Sequence, residues 1–146
     1  MTTVEKSALV PYSASDMYSL VDDVKRYPEF LPWCGGAKVQ RRDDETIVAT
    51  LHIDYHGIKQ SFTTENTRAE NVEIRMRLVD GPLSRLDGWW RFQPLSATAC
   101  KVTLTLDYGF ANAILENAVG PVFGVIANTM MERFIARADA LYPAAR

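Results

Sequence analysis

The spacing of the hydrophobic residues changes from alternating to helical near residue 112, and this change limits the possible folds more than any other feature. Between residues 37 and 110, apolar residues recur at every second position, as in Cys100, Val102 and Leu104. Such alternation predicts strands with one buried and one wetted face, which is typical of an antiparallel sheet. From about residue 112 to 142 the spacing becomes helical. The pattern therefore predicts a sheet followed by one long helix.

The segment before the sheet predicts a first strand over residues 3–10 and then a short helix. Ser13 and Asp16 form an S-x-x-D capping pattern in front of an amphipathic helix over residues 14–24. We expect one α+β domain over residues 1–146, in which a curved antiparallel sheet of about seven strands wraps around the long C-terminal helix. Gly120-Pro121 is expected to kink or divide that helix, and Pro143 to end it.

A curved sheet of this kind leaves a cavity against the helix, which is a usual place for small-molecule sites. Aromatic and Met side chains fill large, irregular apolar spaces, and one amide would add a polar contact. We predict that the ligand contacts are Phe30, Leu31, Trp33, Phe62, Asn66, Met76, Trp90, Phe92, Tyr108, Phe110, Phe123, Met130 and Phe134. Plain core packing is the alternative for each of these residues.

Two features leave alternatives open. Trp89 and Trp90 are adjacent in a predicted strand and must point to opposite faces, without a sign of which one points inward. The irregular turn over residues 30–34 is interpreted as the rim of the cavity, as a tip that touches a membrane, or as a lid packed over the sheet edge.

Catalytic and metal-binding motifs are not expected. His52, Asp54 and His56 share the wetted face of a strand, without a fourth ligand to complete a metal site. Cys34 would be a nucleophile only beside a His, and a buried inert thiol is the favoured interpretation. We therefore predict no catalytic residues, no metal and no required cofactor.

The net charge and the hydropathy of the chain limit which partners and which cellular compartment we expect. The formal net charge is −2 and the isoelectric point is near 5.7, which argues against DNA binding driven by bulk charge. The N-terminus has no apolar signal region, and no run approaches 18 consecutive apolar residues. A cytoplasmic protein is expected, with attachment to the inner-membrane surface as the alternative.

Basic side chains on neighbouring strands are expected to form an ordinary solvated sheet face, with a surface for anionic lipid or ribosomal RNA as the alternative. These side chains are Lys38, Arg41, Arg42, Lys59, Arg68, Arg75, Arg77, Arg85 and Arg91.

The segment LVDDVKRYPEFLPWC over residues 20–34 resembles a family signature. The chain is similar to the coenzyme Q-binding, START-like proteins, which are grouped with polyketide cyclase/dehydrase proteins and include RatA-type ribosome-association toxins. The resemblance implies a helix-grip fold. It also implies binding of ubiquinone or a related polyprenyl lipid by a non-catalytic carrier, or binding of the large ribosomal subunit that blocks subunit association.

We favour the lipid carrier, with the ribosome-binding toxin as the alternative and a cyclase-like enzyme third. The expected partners are an isoprenoid quinone or another apolar small molecule, a membrane surface and the large ribosomal subunit, but not DNA. A bound ubiquinone-like lipid would be the cargo and not a cofactor.

Overall fold

Seven antiparallel strands pair in the order β1-β7-β6-β5-β4-β3-β2 and form one sheet. The computed structural model describes residues 2–142. Its elements are β1 (Thr2–Val10), α1 (Ala14–Asp22), a 3₁₀ helix (Val24–Glu29), β2 (Cys34–Arg42), β3 (Thr46–Tyr55), β4 (Ile58–Ala69), β5 (Glu73–Asp80), β6 (Leu83–Ser96), β7 (Ala99–Phe110) and α2 (Ala113–Leu141). This arrangement confirms the predicted α+β fold.

The sheet is a meander whose last strand also pairs with β1. Breaks in register interrupt three of the six strand pairs, among them β2–β3 between Val39 and Arg41. Such bulges bend strands and increase their twist, which favours a curved sheet. At the β3–β4 turn, His56 and Gly57 both have positive φ (49° and 80°), as a tight two-residue hairpin requires.

The start of α1 confirms the predicted cap. The Ser13 hydroxyl accepts a hydrogen bond at 3.0 Å from the backbone N–H of Asp16. The helix ends at Asp22 and not at residue 24, because the chain tightens into the 3₁₀ helix, which contains Pro28.

Two arginines point toward α1 and not toward the outer face of the sheet. Arg68 Nη1 lies 3.2 Å from a carboxylate oxygen of Asp22, and Arg42 Nη1 lies 3.4 Å from the same carboxylate. The expected place of Arg42 and Arg68 on a basic strand surface is therefore wrong. Both of them instead attach the end of α1 to β2 and β4.

Helix α2 runs without interruption through Gly120 and Pro121, so the predicted division into two pieces does not occur. It begins with the Asn112 side chain accepting a hydrogen bond from the Leu115 N–H at 2.9 Å. Leu141, the last residue of α2, is 48% exposed. Pro143 lies outside the described residues. The buried stripe consists of Val119, Val122, Phe123, Ile126, Ala127, Met131, Phe134 and Ala138.

By length and composition alone, α2 could cross a membrane, although it contains no long uninterrupted apolar run. Its most apolar 18-residue window has a mean hydropathy of 1.2, and 33% of that window is buried within the protein. In this fold the buried stripe of α2 packs against the inner face of the sheet, as a core helix does.

Phe134 anchors the C-terminal half of α2. Its ring centroid lies 5.0 Å from that of Trp90, 5.1 Å from Phe30 and 5.4 Å from Tyr27, in edge-to-face arrangements. Aromatic pairs at these distances add to the free energy gained by burying the rings.

Replacing Phe134 by Ala is expected to lower the free energy of unfolding by about 3–5 kcal/mol, because it removes a buried ring and leaves a cavity. Urea denaturation followed by circular dichroism measures the change. Ile114→Ala on the exposed side of α2 is the matched control, because Ile114 is 79% exposed. The control is expected to change stability by no more than about 0.5 kcal/mol. Equal losses in both variants would contradict this account of the packing.

Candidate functional site

An apolar cavity of about 40 Å³ lies between α2 and the inner face of the sheet. A water molecule needs roughly 10–15 Å³ of such space, so the cavity has room for about three waters. Its walls come from the 3₁₀ helix, five strands and α2. The lining residues are Val24, Tyr27, Ala49, Leu51, Phe62, Thr64, Asn66, Met76, Leu86, Trp90, Leu106, Phe123, Ile126 and Met130.

Two aromatic clusters flank this cavity along α2. The first surrounds Phe134, and its members Tyr27 and Trp90 form one wall. The second surrounds Phe123, whose ring centroid lies 4.6 Å from Tyr108 and 6.0 Å from Phe62. Ile126 and Met130 lie between Phe123 and Phe134 on the helix. The spacing of these residues on α2 thus places the cavity between two tightly packed regions.

A polar pair interrupts the apolar wall. Thr64 and Asn66 are the two buried polar residues among the described ones, and both line the cavity. The Thr64 hydroxyl donates a hydrogen bond to the Asn66 side-chain oxygen at 2.9 Å. The Asn66 carboxamide also carries N–H donors, so this wall can hydrogen-bond to a carbonyl oxygen or a water.

Gly88 leaves space at the centre of the inner face. A Cβ at this position would lie 2.7 Å from Met76 Cε and 2.8 Å from Leu106 Cδ2, closer than side chains tolerate. Met76 and Leu106 both line the cavity. The absent side chain at Gly88 therefore allows these two residues to close over the middle of the sheet.

The predicted ligand contacts divide into two groups. The first group lines the cavity and consists of Phe62, Asn66, Met76, Trp90, Phe123 and Met130. The second group belongs to the core or packs against it without lining the cavity, and consists of Phe30, Leu31, Trp33, Phe92, Tyr108, Phe110 and Phe134. Contact with a ligand stays a prediction for both groups.

The predicted list of ligand contacts omitted eight of the lining residues. Strand alternation placed Ala49, Leu51 and Leu106 on the inner face, but their small or aliphatic side chains did not distinguish them from the rest of the core. Val24, at the end of the helix predicted over residues 14–24, lies in the 3₁₀ helix, and Tyr27 follows it there, where the sequence offered no period. The other three are Thr64, Leu86 and Ile126.

The turn over residues 30–34 packs as a lid. Leu31 is 1% exposed and Trp33 is 2% exposed, so the hypothesis of a membrane-touching tip is wrong for these two side chains. Phe30 is half-buried against Phe134, with the Arg137 guanidinium 5.1 Å from its ring centroid. The turn thus supports the first aromatic cluster.

Trp90 faces inward and Trp89 faces outward. Trp90 is buried in the cavity wall, whereas Trp89 lies half-buried on the solvent side of β6. The Arg75 and Arg91 guanidinium carbons lie 4.3 Å and 5.5 Å from the Trp89 ring centroid. Cation–π attraction of this kind stabilises an aromatic ring on a wetted face.

Burial disfavours the charged forms of Tyr27, which lines the cavity, and of Cys34. Burial raises the pKa of the Cys34 thiol, and its Sγ–H donates to the Gly36 carbonyl oxygen at 3.3 Å. Burial also raises the pKa of Tyr27, whose hydroxyl donates to the Val21 carbonyl oxygen. These pKa shifts disfavour a thiolate or phenolate nucleophile at neutral pH.

The predicted trio on β3 does not form a metal site in the described residues. His52 Nδ1 and the Ser61 hydroxyl hydrogen-bond at 2.6 Å on the exposed face. Within residues 2–142, no group of three or more His, Cys, Asp and Glu side chains is arranged to hold a metal ion.

An open polar cleft of about 590 Å³ lies between α1 and the ends of β2 and β4. Its lining includes Asp22, Arg42 and Arg68, which pair with one another as described above. The lining also includes Asp43, Asp44 and Glu70, so its four carboxylates outnumber its two guanidinium groups and the cleft is acidic.

Comparisons with known proteins identify a matching family and several similar sequences. Residues 10–135 match the family model described as polyketide cyclase/dehydrase and lipid transport. The ribosome association toxin RatA of Escherichia coli is 42% identical over 99% of this chain and 91% of its own length. The Pseudomonas aeruginosa RatA is 41% identical over 97% of this chain and 98% of its length. A mitochondrial coenzyme Q-binding protein of Drosophila melanogaster is 28% identical over 89% of this chain, but over 55% of its own length.

Solved structures confirm the predicted START-like, helix-grip architecture. A Streptomyces aromatase/cyclase superimposes with a TM-score of 0.83 at 18% identity, covering 94% of this chain and 93% of its own. A START superfamily protein from Mycobacterium smegmatis gives 0.80 at 21% identity, covering 95% and 98%. With the match of the family model over residues 10–135, the chain belongs to the polyketide cyclase/dehydrase and lipid transport family.

Proposed function

We propose that this protein associates with the large ribosomal subunit in the cytoplasm and blocks its joining to the small subunit. One observation carries the proposal: similarity above 40% identity to ribosome association toxins from several bacteria, over nearly the full length of both chains. The relative named for coenzyme Q binding is more distant and matches over about half of its length.

The small size of the cavity favours ribosome association over the binding of a small molecule. Pockets for small molecules usually measure roughly 300–1,000 Å³, whereas this cavity measures about 40 Å³. An isoprenoid quinone would enter only if α2 moved away from the sheet and separated the two aromatic clusters. Surface recognition of a ribosomal subunit needs no such opening.

The cavity chemistry supports a non-enzymatic role. The uncharged side chains of Thr64 and Asn66 are its two buried polar groups other than Tyr27. General acid–base catalysis works best with a group whose pKa lies near the working pH. The Tyr27 pKa is displaced upward by burial, so this wall offers no group suited to proton transfer.

Purified protein added in excess to dissociated ribosomal subunits is expected to prevent their reassociation when magnesium is raised. Sucrose-gradient sedimentation measures the share of joined ribosomes, and we expect free subunits to accumulate as the protein concentration increases. Added salt should weaken the effect, because contacts with ribosomal RNA depend on ion pairs with phosphates. An unchanged gradient profile at saturating protein would remove the proposal.

Binding of an apolar ligand is the second candidate, favoured by the Thr64–Asn66 pair in an otherwise apolar wall. In an isoprenoid quinone, the tail would supply most of the affinity, at about 0.8 kcal/mol for each buried CH₂. A ring carbonyl could accept a hydrogen bond from Asn66. This candidate requires α2 to move.

If the ligand candidate holds, organic extraction of the purified protein followed by mass spectrometry will recover a quinone or other prenyl lipid. Ala49→Leu adds three carbons at the cavity wall and is expected to abolish recovery. Ala37→Leu is the matched control, because Ala37 packs against the core without lining the cavity. Repeated absence of lipid from the unchanged protein would exclude the candidate. Thermal melting verifies that both variants fold, because overpacking typically costs about 1–3 kcal/mol.

A further inference from the structure

The outer face of the sheet carries an aromatic plane among arginines. Trp89 lies on this face at the middle of β6, directly opposite Arg75 of β5 and Thr105 of β7. Arg75 and Arg91 lie over its ring. The other two tryptophans, Trp33 and Trp90, are buried, so Trp89 is the tryptophan that a partner can reach.

Basic side chains slightly outnumber acidic ones on this face. Strand alternation and register place eight basic side chains at Lys38, Arg41, Lys59, Arg75, Arg77, Arg85, Arg91 and Lys101, and seven acidic side chains at Glu5, Asp54, Glu65, Glu73, Asp80, Asp87 and Asp107. Basic groups are therefore in excess here, whereas the whole chain has a formal net charge of −2. An anionic partner is attracted to the outer face more than to the remaining surface.

The basic side chains around Trp89 differ in whether a carboxylate pairs with them. The Arg75 guanidinium lies 3.3 Å from the Asp87 carboxylate, which holds it over the ring. Within residues 2–142, no carboxylate lies within 4.0 Å of the cationic groups of Arg77, Arg91 or Lys101. Arg75 is thus a positioning residue, and the other three cations are available to a partner.

We propose that the outer face of β5, β6 and β7 is a docking surface for ribosomal RNA. Arg77, Arg91 and Lys101 would pair with phosphates, while an unstacked base would stack on the Arg75 guanidinium that covers Trp89. Proteins that bind single-stranded RNA combine a basic groove with aromatic rings on which bases stack. This inference rests on the proposed ribosome association and names the surface that performs it.

The chemistry of the face favours RNA over an anionic membrane. Lipid headgroups would use the cations, but membranes take up tryptophan beside apolar side chains, at the boundary of headgroups and acyl chains. The immediate neighbours of Trp89 are Arg75, Arg91 and Thr105. A flat base stacked on the Arg75 guanidinium, which itself covers the indole at 4.3 Å, satisfies this arrangement.

The test compares two variants that remove the same charge. Arg77→Gln combined with Arg91→Gln removes two cations from the proposed surface. Lys25→Gln combined with Arg133→Gln removes two exposed cations from the 3₁₀ helix and from α2, neither of which is paired with a carboxylate within residues 2–142. The dissociation constant for purified large subunits is measured at several potassium chloride concentrations.

We expect the surface variant to bind about tenfold or more weakly, and the slope of log K against log salt to fall by roughly 1–2. The control should stay within about twofold of the unchanged protein. Equal weakening of both variants, or of neither, would overturn the inference while ribosome association itself survived. Failure of the unchanged protein to bind large subunits would instead remove the proposed function.

Ultraviolet cross-linking identifies the partner of this face. On large subunits, the unchanged protein is expected to cross-link to ribosomal RNA, and the surface variant to lose that product. Cross-links to ribosomal proteins alone would overturn RNA as the partner. The same variants are mixed with phosphatidylglycerol vesicles, and loss of vesicle binding with unaltered subunit binding would assign the face to a membrane.

Discussion

The packing of one stripe of α2 against a strongly curved sheet is the contact on which the rest of the structure depends. Phe123 and Phe134 are the large residues of that stripe, and each is surrounded by aromatic rings from the sheet or the preceding turn. These two clusters position α2, and the space between them is the cavity. The same packing keeps the inner strand residues dry and leaves the other face of every strand to solvent.

Much of the fold could be predicted from sequence, because hydrophobic period and burial are directly linked. In β7 the predicted inner residues from Cys100 to Tyr108 are buried and the residues between them are not. The position of Arg42 could not be predicted, because the bulge after Val39 shifts the register by one residue and reverses the face. Arg68 has the same parity as Phe62, so alternation alone could have excluded it from the outer surface.

The candidate site was less predictable than the fold. Periodicity identifies the inner face, but the lining of a small cavity depends on side-chain lengths and on absent side chains, such as the one at Gly88. The lid over residues 30–34 has no period at all, and burial of Leu31 and Trp33 depends on tertiary contacts. The interior of the protein is closed, and basic groups are in excess on the outer face of the sheet. Both features favour binding of a partner at the protein surface, as do the relatives named for ribosome association.

An electron cryomicroscopy map of the protein bound to the large ribosomal subunit tests this account most directly. The account predicts that the outer face of β5, β6 and β7 contacts ribosomal RNA, with density for a base or phosphate beside Trp89 and Arg91, and that α2 keeps its place in the sheet. A bound protein whose outer sheet face points to solvent, or whose α2 has moved away to admit a ligand, would contradict it.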